Sequence, residues 1–176
     1  MRNININNFN HPLYKVFEKL YSSSFPIFEQ RTKKQQEIAF DNKNYHLIGY
    51  EENNSFIGFI SYWEFDDYLY IEHFAINTDI RGKGYGSTLL NEFIKSTTKI
   101  VLLEIDPVID NISEARLRFY KKCGFYENPY PHKHPAYRNE YQPHSLIVLT
   151  TKRKISKEEY LKFSLDLRSE EHTSEL

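Results

Sequence analysis

Residues 79–90 read DIRGKGYGSTLL, and the placing of glycine among them governs how the rest of the chain is read. Only six glycines occur in 176 residues, and three of them, Gly82, Gly84 and Gly86, fall here, directly before an apolar helical run. Glycine supplies positive φ and lets a ligand come close to the backbone, and a helix that begins just afterwards turns unpaired N–H groups toward that ligand. An anion is the natural guest of such a nest, a pyrophosphate above all. Arg81 and Lys83 add fixed positive charge. Other phosphate loops fit badly: the Gly-Lys-Ser/Thr of a P-loop is absent, and GKGYG lacks the Gly-x-Gly-x-x-Gly spacing of a dinucleotide fold. A mere connector gains nothing from three glycines flanked by two cations.

Upstream of the loop, three runs have strand character: His46 to Glu51, Phe56 to Phe65 and Tyr68 to Asn77. The short breaks EENN and Asp66-Asp67 between them predict an antiparallel meander. Downstream, Leu89, Leu90, Phe93 and Ile94 form an apolar stripe opposite Asn91, Glu92 and Lys95, as on a helix with one buried face. KIVLLEI at 99–105 is a nearly continuous apolar run, the pattern of a strand covered on both sides. NISE at 111–114 predicts a helix start with a capping box, and Gly124 predicts its left-handed end. Phe125 to Tyr130 and Ser145 to Thr150 complete the strands, and the proline-punctuated segment between them reads as a long loop at a site.

At the N-terminal end, several asparagines precede a helical pattern that runs from Pro12 to about Tyr21 on Leu13, Val16, Phe17 and Leu20. SSSFPIFEQR then breaks the helix, and a second helix is expected from about Lys33 to Phe40. Ser156 and Glu159 form another capping box, which opens a C-terminal helix. The last nine residues, RSEEHTSEL, resemble the frame translation of a sequencing adapter. Residues 1–167 are therefore read as one domain and 168–176 as a non-native tail.

The size and balance suit one globular domain: 40% hydrophobic and 27% charged residues, with formal net charge −1. Without the tail the count is 22 basic against 21 acidic residues, so no nucleic-acid partner is implied either way. Fourteen tyrosines and thirteen phenylalanines predict a core and cleft built largely from aromatic packing. A single cysteine, Cys123, rules out an internal disulfide, and with no long apolar run it points to a cytoplasmic protein without a membrane partner.

Three stretches carry a family resemblance over about Leu13 to Leu167: YIEHFAINTDIRGKGYGSTLL, RFYKKCGF and SSFPIFEQR. In this order and spacing the chain resembles the bacterial-type GNAT superfamily of acetyl-CoA-dependent N-acetyltransferases. The resemblance implies an α/β (α+β) domain whose mixed, mainly antiparallel central sheet is flanked by helices. It implies acetyl-CoA as co-substrate, a primary amine of unknown identity as acceptor, and leaves a homodimer open. It also implies that Phe74, Ala75 and Ile76 offer main-chain groups to the pantetheine arm, and that Arg81, Gly82, Lys83, Gly84, Tyr85, Gly86 and Ser87 surround the pyrophosphate. Ser113 stands where many relatives have an asparagine, seven residues before the tyrosine.

Two catalytic residues follow. Glu72 is the type of carboxylate that serves the superfamily as general base toward the acceptor ammonium; the bland alternatives are a surface glutamate on a half-exposed strand or a partner of Arg116. Glu104, inside an apolar run, competes for that role. Tyr120 is the expected acid toward the departing thiolate, rotated to the flank of a helix whose packed stripe is Ala115, Phe119 and Cys123. Cys123 has no sequence signal for an activating histidine, so direct attack in a ternary complex is favoured over an acetyl-cysteine intermediate. His132, His134 and His144 read as solvated loop residues, with no metal site expected, and the loops around Phe25 to Arg31 and Tyr130 to Tyr141 as the walls of the acceptor pocket. An inactive CoA-binding sensor and a module for some other phosphate are the competing functions.

Overall fold

The structure is a computed structural model that describes residues 1–80 and 82–170, the side chain of Glu170 excepted. Its centre is a twisted eight-stranded sheet made of β1 (Arg2–Asn5), β2 (Tyr45–Glu52), β3 (Ser55–Glu64), β4 (Tyr68–Ile76), β5 (Ile100–Ile105), β6 (Phe125–Glu127), β7 (His132–His134) and β8 (His144–Thr151). The spatial order is β1-β2-β3-β4-β5-β8-β6, with β7 pairing further along β8. All neighbours are antiparallel except β4 and β5, which makes the sheet mixed and mainly antiparallel, as the resemblance implied. The β2–β3–β4 meander is present. Its first turn is tight because Asn53 and Asn54 both take positive φ, 51° and 64°, the geometry that a two-residue hairpin of matching twist requires.

Helices α1 (Tyr14–Ser24), α2 (Lys33–Asp41) and α5 (Lys157–Glu170) cover one face, where Phe17, Leu20, Phe59, Trp63, Tyr70 and Phe163 form one core cluster. Helices α3 (Tyr85–Lys95) and α4 (Asn111–Lys122) cover the other, over Ile57, Ile60, Leu69, Val101 and Leu103. The apolar run of β5 is explained by this sandwich: Val101, Leu102 and Leu103 are all buried although they alternate between the faces. Among the described residues no helix is long and apolar enough to cross a membrane.

Four details depart from the expectation. The asparagine-rich start forms β1, paired along β2 from Arg2 opposite Glu51 to Asn5 opposite Ile48; an edge strand needs backbone partners more than apolar side chains, so its sequence gave little sign. The cap of α4 is Asp110 with Ser113, whose side chain and backbone groups bond reciprocally, rather than Asn111 with Glu114. Ser113 is thereby committed to the helix end. The proposed packed stripe of α4 is also shifted, because Ala115 is exposed while Phe119 and Cys123 are only half-buried, beside Leu117 and Tyr120. Finally, α5 continues beyond the buried Leu167 to Glu170, so the regular structure runs three residues into the segment set aside as a tail; residues 171–176 lie outside the described ones.

The pairing of β4 with β5 positions the site. It covers only Tyr68 to Tyr70 against Ile100 to Leu102, although β4 continues to Ile76 and β5 to Ile105. The two strands diverge beyond that point. Ser61 pairs with His73 and Tyr62 with Ile71, which leaves Glu72 as the extra residue of a β-bulge; a bulge sharpens the twist and re-aims the side chain it carries.

Candidate active site

A cleft of about 1310 Å³ opens along this divergence, from Gly82, Gly84 and Gly86 at one end, past β4 and Tyr120, to Glu29, His134 and His144 at the other. The glycine end is a helix N-terminus that no side chain caps among the described residues. Gly84 is the N-cap of α3 and takes φ 74°, with no side-chain cap, and the first intrahelical acceptor, its carbonyl, is used by Thr88 at 3.1 Å. The N–H groups of Tyr85, Gly86 and Ser87 therefore precede the helical ladder and point out of its end. Gly82 also has positive φ, 87°. Gly86 is helical, and a Cβ there would stand 3.5 Å from Phe119, ordinary contact, so its value lies in the approach of a ligand and not in its own conformation. The burial of Leu89, Leu90 and Phe93, about 1.5–3 kcal/mol for each side chain, fixes the helix end against the sheet. The Tyr85 hydroxyl turns away to donate to Glu52 Oε2 at 2.6 Å. Lys83 is exposed, and Arg81 lies outside the described residues.

Phe74, Ala75 and Ile76 form the wall of the cleft on β4. Their inner edge is paired with β3, Phe74 opposite Ile60 and Ala75 opposite Phe59, and their outer edge faces the divergence. Backbone groups of an edge strand can pair with any extended chain laid alongside.

Tyr120 projects into the same cleft from α4, its ring edge-on to Phe119 and Phe125 at 5.2 and 5.6 Å. Its hydroxyl makes no hydrogen bond among the described residues. Burial pushes its pKa up to about 12, so the hydroxyl keeps its proton throughout the physiological range. Cys123 lines the cleft too, and burial raises its thiol as well.

Glu72 is sealed. Its side chain has 0% exposure and is paired with the Arg31 guanidinium, itself 2% exposed; Trp63 Nε1 donates to Oε1 at 3.0 Å and Tyr137 OH to Oε2 at 2.7 Å. The partner of Glu72 is thus Arg31, not Arg116, which pairs with Asp106 at 3.1 Å on the surface. Arg31 also lies over the rings of Tyr45 and Trp63, at 5.1 and 5.4 Å.

The histidine expectation is corrected at two of three positions: His132 and His134 are buried, and only His144 is half-buried. The pull comes from Glu104, which needs partners inside the domain. His132 Nε2 stands 2.5 Å from Glu104 Oε2, His134 Nε2 3.9 Å from Oε1, and Tyr70 OH donates to Oε1. Burial alone would raise the Glu104 carboxyl, but His134 and His132 outweigh it and hold it below its ordinary value. What reads as loop in the sequence contains β7, whose ladder with β8 places both histidines toward Glu104. The signal available was the spacing His132, Lys133, His134, a two-residue period that sends both imidazoles to one face.

The two loops expected to shape the acceptor end do meet. Gln35 donates to the Tyr137 carbonyl at 2.6 Å, Arg138 to the carbonyls of Gln30 and Arg31 at 3.3 and 3.4 Å, and Phe28 packs on Tyr141 and His144. His73, beneath them, is buried, and burial pushes its pKa down to about 4. As a neutral ring it donates from Nε2 to the Glu29 carbonyl at 2.9 Å.

Comparison with known proteins places this arrangement among acetyltransferases. The sequence pattern of the "Acetyltransferase (GNAT) family" matches residues 10–125. YjbC of Bacillus subtilis (strain 168), named as a candidate acetyltransferase, is 34% identical over 113 residues, which are 62% of this chain and 55% of that protein; the chain thus matches about half the length of this curated relative. A GNAT-family structure from Bacteroides thetaiotaomicron, likewise named as a candidate acetyltransferase, superimposes with TM-score 0.89 at 26% identity, covering 96% of this chain and 97% of that one. A GNAT acetyltransferase from Elizabethkingia anophelis, solved with acetyl-CoA bound, shares the fold with TM-score 0.58 at 18% identity, over 86% of this chain and 97% of that one.

Proposed function

The chain belongs to the acetyltransferase (GNAT) family, and from that premise we propose that it transfers the acetyl group of acetyl-CoA to a primary amine by direct attack in a ternary complex. The observation that carries this reading is the single cleft that joins an uncapped helix N-terminus, an unpaired strand edge and a polar far end. The N–H groups from Gly82 to Ser87 bind the pyrophosphate, each negative charge gaining roughly 0.3–1 kcal/mol from the helix dipole. The backbone of Phe74, Ala75 and Ile76 aligns the pantetheine arm in the divergence of β4 and β5, which brings the thioester to Tyr120. Tyr120 OH then donates a hydrogen bond to the sulfur as charge develops there. Cys123 takes no covalent part: its thiol is raised by burial, and among the described residues no histidine is paired with it. Glu72, the base implied by the resemblance, can serve only by releasing Tyr137 and sharing its charge with Arg31; as it stands, it locks the bulge of β4 to the first loop.

The test is to incubate the protein with acetyl-CoA and a panel of polyamines, amino acids, aminoglycosides and peptides with free N-termini while following free thiol. Amine-dependent thiol release supports the transferase. Tight CoA binding without release favours a sensor, and absence of CoA binding overturns both.

The loop makes its own prediction. At Gly84 a side chain meets the strain of φ 74° and intrudes where backbone groups must approach the ligand, whereas Lys83 offers an exposed charge screened by salt. Gly84→Val is therefore expected to weaken acetyl-CoA binding by roughly tenfold or more, and Lys83→Ala by a few-fold at most, in titration calorimetry. Equal losses would show that side-chain charge and not the backbone nest holds the anion.

A further inference from the structure

The far end of the cleft holds a carboxylate unlike Glu72 and Glu104. Glu29, in the 3-10 turn Ile27–Glu29, lines the cleft with its side chain 24% exposed, and its carboxylate accepts no hydrogen bond among the described residues. Its position is nonetheless fixed: its carbonyl accepts from His73, the residue before Phe74, so it is tied to the wall of the divergence. Asp106, directly after β5, and His144, at the start of β8, complete a cluster in which one ligand-type atom from each residue lies within 4.8 Å of the others. His144 Nε2 is 3.9 Å from Glu29 Oε1. Resting on the acetyl-transfer reading, we infer that Glu29 is the general base for the acceptor ammonium, with Asp106, itself ion-paired with Arg116 at 3.1 Å, as the neighbouring carboxylate at the mouth of the divergence.

The other candidates are engaged elsewhere. Glu72 is neutralised by Arg31, Glu104 is held ionised by two histidines, and His73 is too weakly basic to keep a proton near neutrality. Glu29 differs in kind. Burial, then repulsion from Asp106 and Glu104, push its pKa up to about 7, against the opposing pull of Arg116 on α4 and His134 on β7. His144 on β8 and His73 on β4 also face it, both with lowered pKa values and hence neutral. A base poised near the working pH is the efficient one. In the step proposed, the Glu29 carboxylate takes one proton from the ammonium, giving a free amine and a neutral carboxyl. The amine nitrogen attacks the thioester carbonyl carbon, the C–S bond breaks, and the electron pair leaves on sulfur. The second nitrogen proton balances the thiolate, which leaves as the thiol with Tyr120 hydrogen-bonded to it, and Glu29 returns its proton to solvent.

Two measurements on the full chain test this. The first needs no acceptor: carbon-13 NMR of glutamate-labelled protein should show one side-chain carboxyl titrating near neutral pH that is missing in Glu29→Gln. If no carboxyl titrates there, the assignment is overturned. The second uses acetyl-CoA with spermidine, tyramine and lysine methyl ester as probes. For the wild type kcat/KM should fall as pH drops through about 7, because the base becomes protonated. Glu29→Gln should lose roughly 10²-fold in kcat and this limb, while acetyl-CoA affinity changes by less than about twofold. Asp106→Asn should move the limb to lower pH, since it removes a charge that holds Glu29 up, an effect that a merely structural residue would not produce. A Glu29→Gln variant with an unchanged limb and most of its kcat, or an activity abolished by a chelator and restored by Zn²⁺, would overturn the base. If no probe is acetylated while the neutral carboxyl is present, the acetyl-transfer reading is what falls.

Discussion

Arg31→Met is expected to lower the unfolding free energy by roughly 3–5 kcal/mol, because it strands the Glu72 carboxylate as a buried charge without its cation. The two side chains are 2% and 0% exposed, so water cannot take over the role of the guanidinium. Trp63 and Tyr137 still donate to Glu72, but neutral donors do not replace a full positive charge, and Met also gives up the cation–π contacts with Tyr45 and Trp63. The double variant Arg31→Met with Glu72→Gln should recover a substantial part of the loss, since no orphan charge remains. Urea unfolding of the three proteins measures this. A loss below about 1 kcal/mol in the single variant, typical of exposed pairs, would mean that the pair is solvated in solution. The same pair joins the first loop to β4, so the variant should also blur the acceptor end of the cleft.

Tyr120→Phe is expected to reduce kcat by roughly 10²-fold with little change in acetyl-CoA affinity, because it removes a donor that acts only as charge develops on the sulfur. The phenol near 12 is a far weaker acid than a free thiol, near 8.5. Complete proton transfer to the thiolate would thus run uphill, and the role proposed for the hydroxyl is that of a hydrogen-bond donor. The proposal for Tyr120 is therefore hydrogen-bond donation to the sulfur and not the full proton transfer expected from the resemblance. One consequence is that the rate should show no alkaline limb from Tyr120 below about pH 11, in contrast to an acid matched to neutral pH. Retention of more than about half of kcat by Tyr120→Phe would show that the ring only packs, against Phe119 and Phe125.

The sequence by itself determined the local geometry and the order of elements. The glycines of residues 79–90, the EENN turn, the buried run of β5 and the Ser156–Glu159 capping box each act through the few residues around them, by φ, periodicity or a side chain reaching its own backbone, and all are found. The resemblance led to the right family because those signals keep a fixed order along the chain. Only the tertiary structure decided which charges meet. Glu72 and Arg31 are 41 residues apart, Glu104 and His132 28 apart, and Glu29, Asp106 and His144 come from three separate segments. Nothing local in the sequence distinguishes a carboxylate that will be paired with arginine from one held by histidines or left open to a cleft. That distinction depends on burial and on the partner each group finds after the sheet has formed: two strands that pair over three residues and then part, a bulge at Glu72, whose carboxylate Arg31 pairs, and a short ladder that buries His132 and His134. Those long-range contacts shift the proton affinities of Glu29 and Glu104 in opposite directions, and nothing local marks Glu29, the base proposed above, among the glutamates of the sequence.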